Sequence, residues 1–587
     1  MQNIILNYPT SNIQKLFIAK GSELLYKGSL DTYRLKLHNP KTIIEELVSV
    51  CKSSFLTNND YAQASASELT TLLNEDNDGL KFIKVNRKYF LELLKNTKKE
   101  NYNRIIQACK LILSDNKNYQ EYLFDEIENS LLTFDENQEA NIVHNEHKKL
   151  ILQLTYLFVE LINKGFTKQY LYKLFQVIFI YKNEHDWLFE ERYSDWKSLR
   201  DRPKENYTIV FNIIGNDFQI SQLQKIDGTY EGMNSKSRKK LEKIVSERVK
   251  IFLNDNKMGK LISMNVTAFD HYKALEISRE KLSRDLDLYH LGLNSHIFEI
   301  DLQAAVVGTI NPEKSSTIPV NYQIDGYLNK NTETFDRLLK KVTKMRGNNI
   351  DDDSYDKIFS AIRYLRTGSE SPELETKLLN YWIGLEYIFT SVNSEEKTID
   401  RIRKYYPICH SLVYAKRNLF DFHKSIIRHE ISNTITDFDF NPSIEYLTKH
   451  NTYNEIFANS TNELLKFRAL YFQKWVEDPS NIGTALKKHS DNLKWNLTRL
   501  YRIRNEIVHN AAIKNGIYVN ISHMKYYLTF ILNSILDFMS NDSLDIDDDG
   551  KITIEDYFIA QDIMLGSLKG STIQNYLKIR FPRQILH

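Results

Sequence analysis

Toward its C-terminal end the chain reads Trp495-Asn-Leu-Thr-Arg-Leu-Tyr-Arg-Ile-Arg504-Asn505-Glu506-Ile-Val-His509-Asn510. An arginine keeps its proton at any physiological pH, and an imidazole titrates close to neutrality. Held near one phosphodiester, the two suffice to cut RNA without a metal. Arg504 can stabilise a pentacoordinate phosphorus while His509 removes and then returns the proton of a ribose 2′-OH. Asn505, directly after the arginine, can position the phosphate. The nucleophile is the substrate's own hydroxyl, so the expected products are a 2′,3′-cyclic phosphate and a 5′-OH.

These residues need a helix to place them. At about 100° per residue, Leu500, Ile503, Ile507 and Ala511 form an apolar stripe, and Arg502, Asn505, Glu506 and His509 a polar one. Arg504 lies on the border, about 140° from His509 by the same geometry. One helix therefore splays the pair around a cleft, which a second helix or a second subunit must complete. The alternative is that Arg502 and Arg504 pair with Glu506 and nearby acids on a solvated helix face. Two other segments share a similar spacing: Arg403 with His410, and Arg417-Asn418 with His423. The latter runs through Leu-Phe-Asp-Phe and reads as core.

The Arg504 segment resembles the R-x4–6-H signature of the HEPN superfamily of ribonucleases. Upstream, Glu375-Thr-Lys-Leu-Leu-Asn-Tyr-Trp382-Ile-Gly-Leu-Glu386-Tyr-Ile-Phe389 looks like the opening helix of the Apea-like branch, with its W-x-x-L-E core. Leu378, Trp382, Leu385, Phe389 and Val392 keep a 4-3-4-3 spacing and so bury one face. Glu386 falls beside that face, where its carboxylate can orient the arginine or the histidine, or can stand as an ordinary surface acid. The match spans residues 336–541. It implies a helical-bundle endoribonuclease that needs no cofactor for catalysis, acts on RNA (tRNA among the candidates), and pairs as a homodimer. It also implies a toxin in anti-phage defence by abortive infection, restrained or informed by the rest of the chain and answering to a phage-derived trigger or an antitoxin. One departure is Ala511, where some HEPN toxins carry tyrosine. The competing reading is a non-catalytic HEPN-like scaffold that binds RNA or a protein.

A second motif follows: Asp545-Ile-Asp547-Asp548-Asp549-Gly550-Lys551-Ile552-Thr553-Ile554-Glu555-Asp556. Acids at positions 1, 3, 5 and 12 with glycine at 6 match an EF-hand-type loop for Ca²⁺ or Mg²⁺. Asp545, Asp547, Asp549, Lys551 and Asp556 are the candidate ligands, and Ile552 should anchor the loop to a core. Aspartate at position 12 resembles the calcium loop of dockerin modules more than a sensor EF-hand. The other reading is an acidic turn that caps the last helix. On this motif alone the chain could instead be a calcium-responsive interaction protein.

Across 587 residues, 42% hydrophobic and 26% charged residues indicate a globular chain too long for one domain. Only 19 Gly and 10 Pro point to a mainly helical one. A net charge of +2 gives no global field for nucleic acid, so any grip on RNA must be local. Three scattered cysteines exclude both a disulfide framework and a cysteine zinc site. No apolar run reaches membrane length and the start lacks a signal-peptide pattern, so a cytoplasmic protein with no membrane association is expected.

The periodicity predicts helices over 101–113, 147–164 and 169–181, with His144 and His147 at a solvated helix start. Strands are predicted over 207–214, 260–268, 296–307 and 316–328, with helices over 235–254 and 270–288 between them. Asn265-Val-Thr-Ala-Phe-Asp270 resembles a small module often found ahead of Apea-like HEPN domains. Lys236, Arg238, Lys239 and Lys240, and again Lys340 and Lys341, are basic clusters that fit an RNA handle or a solvated helix face. The expected organisation is a helical region of unassigned role over 1–200, a small α+β domain over 201–335, the HEPN-like helical bundle over 336–541, and the acidic loop with terminal helices over 542–587.

Overall fold

Helices make up most of the molecule and one antiparallel sheet supplies the strands, so the chain is mainly α with a small α+β part. The computed structural model describes the chain apart from residues 1–5, 7, 27–37, 54–58, 77, 182–186, 215–216, 256–259, 293–298, 321–331, 372, 392–393, 441–443, 511–516, 542–544, 546–549 and 580–587. By contact it divides into two units. One comprises Met1–Leu24, Ser29–Tyr156 and Tyr327–His587; the other comprises Leu25–Gly28 and Leu157–Gly326. This differs from four consecutive segments. The helices before residue 157 fold with those after 326, whereas 157–200 belong with the sheet.

Charge pairs link distant segments of the first unit. Acids in the first 75 residues meet bases far downstream: Glu23 meets Arg468, Asp60 meets Arg403 at 2.9 Å, Glu75 meets Lys488 at 2.5 Å, and Glu46 and Glu68 both meet Arg499. The terminal segment joins the same unit, with Phe558 stacked on Phe389 and Tyr405 at 4.8 and 4.9 Å.

Six helices of this unit frame the motif. Pro40–Lys52 starts on a reciprocal cap, in which Asn39 Oδ1 accepts the Thr42 N–H and Thr42 Oγ1 accepts the Asn39 N–H. Asp60–Glu75 follows it. Asp352–Glu370 is capped by Asp351, whose carboxylate accepts the Ser354 N–H at 3.1 Å. Leu374–Phe389 carries the tryptophan motif, Ser480–Asn510 the arginine–histidine motif, and Ile517–Asn541 is the strongly apolar helix expected after it. Leu378, Trp382, Leu385 and Phe389 are all buried as their spacing requires; Val392 lies outside the described residues. Among the described residues no helix is long and apolar enough to cross a membrane.

In the second unit the strands are β1 Glu205–Ile214, β2 Glu231–Gly232, β3 Lys260–Ala268, β4 Glu299–Gly308 and β5 Ser316–Pro319, in the order β2-β3-β1-β4-β5, with every pairing antiparallel. That is one strand more than the sequence suggests, and the remainder of the last predicted strand falls largely outside the described residues. Alternation along β1 sends Ile209, Phe211 and Ile213 to a core shared with helix His271–Gly292, and Val210 to one shared with Val249 and Leu253 of helix Glu247–Asp255. Asp270 is fully buried: it accepts the Tyr272 and Lys273 N–H groups and both the N–H and Oγ1–H of Thr167. It ties the helix start to the chain before the sheet.

His144 and His147 are not at a solvated helix start. The helix begins at Ala140, His144 rests on Phe467 at 5.4 Å, and His147 is buried. Burial pushes His144 down to about 4 and lowers His147 as well.

Gly368 sits where helices Asp352–Glu370 and Leu374–Phe389 meet closely. A Cβ there would lie 2.6 Å from Cε1 of Tyr381, a fully buried ring, and 3.2 Å from the Lys377 carbonyl. Gly368→Ala should therefore destabilise the protein by roughly 1–3 kcal/mol, measured as a lower midpoint in urea unfolding. An unchanged midpoint would mean that the helix pair can separate without cost.

Candidate functional site

Leu500, Ile503 and Ile507 are buried, as the stripe on the motif helix predicts, while His509 is exposed in its last turn. Ala511 lies outside the described residues. Arg504 Nη2 stands 3.7 Å from Glu386 Oε2 on the tryptophan helix, and Nη1 donates to Asn505 Oδ1 at 3.0 Å. Asn505 Nδ2 in turn donates to the Tyr61 hydroxyl at 3.0 Å. The structure thus brings Glu386, Arg504 and Asn505 together and adds Tyr61, which no feature of the sequence singles out. Second helices of the same chain border the motif, as one branch of the helical-wheel argument required.

The reason these helices meet is apolar. Trp382 is fully buried, with its ring 5.6 Å from Tyr501, and the Tyr61 ring lies 6.4 Å from Tyr501. Aromatic rings at these separations pack edge or offset and exclude water from the helix seam. Beside that seam the tryptophan helix brings Glu386 to Arg504, and helix Asp60–Glu75 brings Tyr61 to Asn505.

The helix face around Arg502, solvated in the alternative reading, is largely covered. Arg502 does pair with Glu506 at 3.7 Å, as the alternative reading held, but it also meets Glu46 at 2.5 Å. Arg499 is bidentate on Glu46 and reaches Glu68 at 2.7 Å. His38 Nε2 closes the group at 3.5 Å from Glu46. Burial by itself would raise the Glu46 carboxyl, yet Arg499 and Arg502 outweigh it and hold the group well below the usual carboxylate range. The same pairing raises Arg499. Burial, and then Arg499, lower His38. Helices Pro40–Lys52 and Asp60–Glu75 therefore cover the basic face one turn before the motif.

Neither rival motif presents an imidazole. His410 is buried, with Nδ1 2.8 Å from His489 Nε2 and Nε2 2.8 Å from the Tyr526 hydroxyl. Burial and then Arg417 hold it well below the usual range. His423 is buried with Nδ1 2.8 Å from the Tyr446 hydroxyl, and Arg417 donates to Tyr526 instead. These are core groups, as the aromatic residues between Arg417 and His423 suggested.

The acidic loop is described at its ends. Asp545 Oδ2 accepts the Gly550 N–H at 2.6 Å, and Gly550 has φ +83°, the left-handed turn that favours glycine. Ile552 is buried and bridges Ile350, with its N–H on the Asn349 carbonyl at 2.9 Å, so it anchors the loop as expected. Asp556, however, serves as a cap: its Oδ2 accepts the Thr553 N–H and Oγ1–H, both at 2.7 Å, at the start of helix Ile554–Ser567. Asp547 and Asp549 lie outside the described residues. The turn suits a cation loop, and one oxygen of the position-12 carboxylate caps its own helix. Among the described residues no group of three or more His, Cys, Asp or Glu side chains is placed to hold a metal.

Of the basic clusters, Lys236, Lys239 and Lys240 are exposed on helix Ser235–Glu242, with Arg238 paired to Glu242 at 3.0 Å. Lys341 is taken by Asp537 at 2.6 Å.

Glu46 sets a pH window. Its folded value is depressed below an ordinary 4.5, so its contribution is complete above that pH and is lost as pH falls below it. Glu46→Gln should cost about 3–5 kcal/mol at pH 7, and the gap to wild type should narrow on acidification below 4.5. Melting temperatures of both proteins across pH 3–7 test this; parallel curves would remove Glu46 from the titration. Compared with known family models, curated proteins and solved structures, the chain matches none.

Proposed function

We propose that this protein is a metal-independent endoribonuclease of the HEPN type, cutting RNA by attack of the 2′-OH. The observation that carries the reading is Arg504 held between Glu386 and Asn505 at the end of a helix whose next turn exposes His509. His509 takes the 2′-OH proton and later protonates the 5′-oxygen leaving group. Arg504 bears the charge that grows on phosphorus, the role a cation would otherwise fill. Glu386 aims the guanidinium, as a carboxylate partner does for a planar fork of donors.

We further propose a toxin role in abortive infection, with the protein acting in the cytoplasm as a homodimer whose two motifs face one another, and with a phage-derived trigger or an antitoxin as partner. The cover of the motif helix by residues 38–75 favours a restrained enzyme. Two acids on the basic face neutralise cations that would otherwise draw a polyanion. A non-catalytic RNA- or protein-binding scaffold remains the alternative, and the histidine variant below separates it from the enzyme.

Arg504→Ala and His509→Ala should each lower cleavage by at least ~10²-fold without unfolding the protein. Sequencing cellular RNA ends after expression of each variant and wild type measures it; equal end profiles would remove these residues from any catalytic role. Cleavage by the purified wild type should also survive excess EDTA. A chelator that stops it, in a protein that still melts at its usual temperature, would overturn the metal-free mechanism.

A further inference from the structure

The Arg504 guanidinium has only donors, so Asn505 must turn its Oδ1 toward it, as it does at 3.0 Å. This leaves Nδ2 on the other side, where the Tyr61 hydroxyl takes it at 3.0 Å. Both ends of the amide are therefore engaged within the protein. Tyr61 itself is well fixed: it is only 5% exposed and packs beside Tyr501. A line of polar contacts thus runs from Tyr61 through Asn505 and Arg504 to Glu386, crossing three helices.

We propose that Tyr61 is a positioning residue of the RNA site, fixing the Asn505 amide so that Oδ1 holds Arg504. The proposal rests on the ribonuclease reading and amends one part of it: Asn505 acts on the arginine and not on the phosphate. It also gives the N-terminal helices a constructive part in the site besides covering it. When Tyr61 holds the amide, the guanidinium has an acceptor on each flank. When the amide is free to rotate, Glu386 is the remaining partner, and Arg504 can swing into a closer ion pair that neutralises it. The loss should then appear in the chemical step, because Tyr61 acts through Asn505.

The test is single-turnover cleavage of total cellular RNA by excess full-length protein, following 2′,3′-cyclic phosphate ends as enzyme concentration is varied. Tyr61→Phe keeps the ring and removes the hydroxyl. It should lower the maximal rate roughly tenfold and leave the half-saturating concentration unchanged. Tyr61→Phe/Asn505→Ala should cut no more slowly than Asn505→Ala alone, since the two residues act in series. Glu68→Gln, which loosens the same helix but leaves the Tyr61–Asn505 bond, should lower the melting temperature and spare the maximal rate. A wild-type maximal rate for Tyr61→Phe overturns the proposal, and so do losses that multiply in the double variant. If Glu68→Gln slows the chemical step as much as Tyr61→Phe does, helix stability is the cause and the positioning role falls. His509→Ala is the control for the reading beneath it. If it cuts like wild type, the ribonuclease assignment itself fails; if it is inactive while Tyr61→Phe is normal, only the role of Tyr61 fails.

Discussion

Glu46 is a buried carboxylate between two arginines of the motif helix, and the architecture around the site depends on it. Arg499 and Arg502 face the same way because they are three residues apart on one helix, so one acid can serve both. Moving such charges out of water is costly, and their mutual attraction offsets the cost only when geometry and hydrogen bonding are good. Here Arg499 grips Glu46 with two nitrogens and takes Glu68 as well. Such a cluster is better understood as fixing register than as a store of stability. Apolar residues of similar size could hold the helices together, but they would tolerate sliding by a turn. Paired charges do not, because a shifted register strands an arginine without its acid.

That register decides which residues border the motif. Tyr61 stands one residue into the helix that also carries Glu68, and Glu46 lies on the helix before it. With the ion group set, Tyr61 reaches Asn505 and its ring meets Tyr501. On the tryptophan helix, burial of Trp382 brings Glu386 to Arg504. An electrostatic seam and an aromatic seam thus converge on one guanidinium. The histidine is left one turn further, exposed where the helix ends.

The terminal segment is bound into the same unit by a different route. Arg401 is nearly buried; its Nε donates to the Phe389 carbonyl at 2.7 Å, and its Nη2 pairs with Glu555 beside the acidic loop. Phe389 ends the tryptophan helix, so the loop's exit helix and the helix that carries Glu386 share one arginine. Asn349 donates to the Gly550 carbonyl, and Ile350 bridges Ile552. The loop is in this way stitched to the chain ahead of the tryptophan helix as well as after it.

What the sequence determined by itself was local. The 3.6-residue period placed the tryptophan helix, the motif helix and the apolar helix that follows, and the buried stripe at Leu500, Ile503 and Ile507 follows from that period alone. Richness in Ile, Val and Phe located the principal strands, and the aromatic run between Arg417 and His423 marked core. These signals are readable because backbone geometry fixes which side chains share a face. Tertiary structure decided the neighbours. Nothing in residues 38–75 announces that Glu46, Glu68 and Tyr61 meet a helix more than four hundred positions away, since pairing of charges and rings carries no local period. For the same reason a solvated helix surface around Arg502 stood as an alternative, and His144 and His147 read as a solvated helix start, where packing partners in fact cover them. Asp556 was open as well: a carboxylate three residues after a threonine serves a loop ligand set or a helix cap equally well in sequence, and the bonds of its Oδ2 to Thr553 are a tertiary-structure observation that it caps the helix.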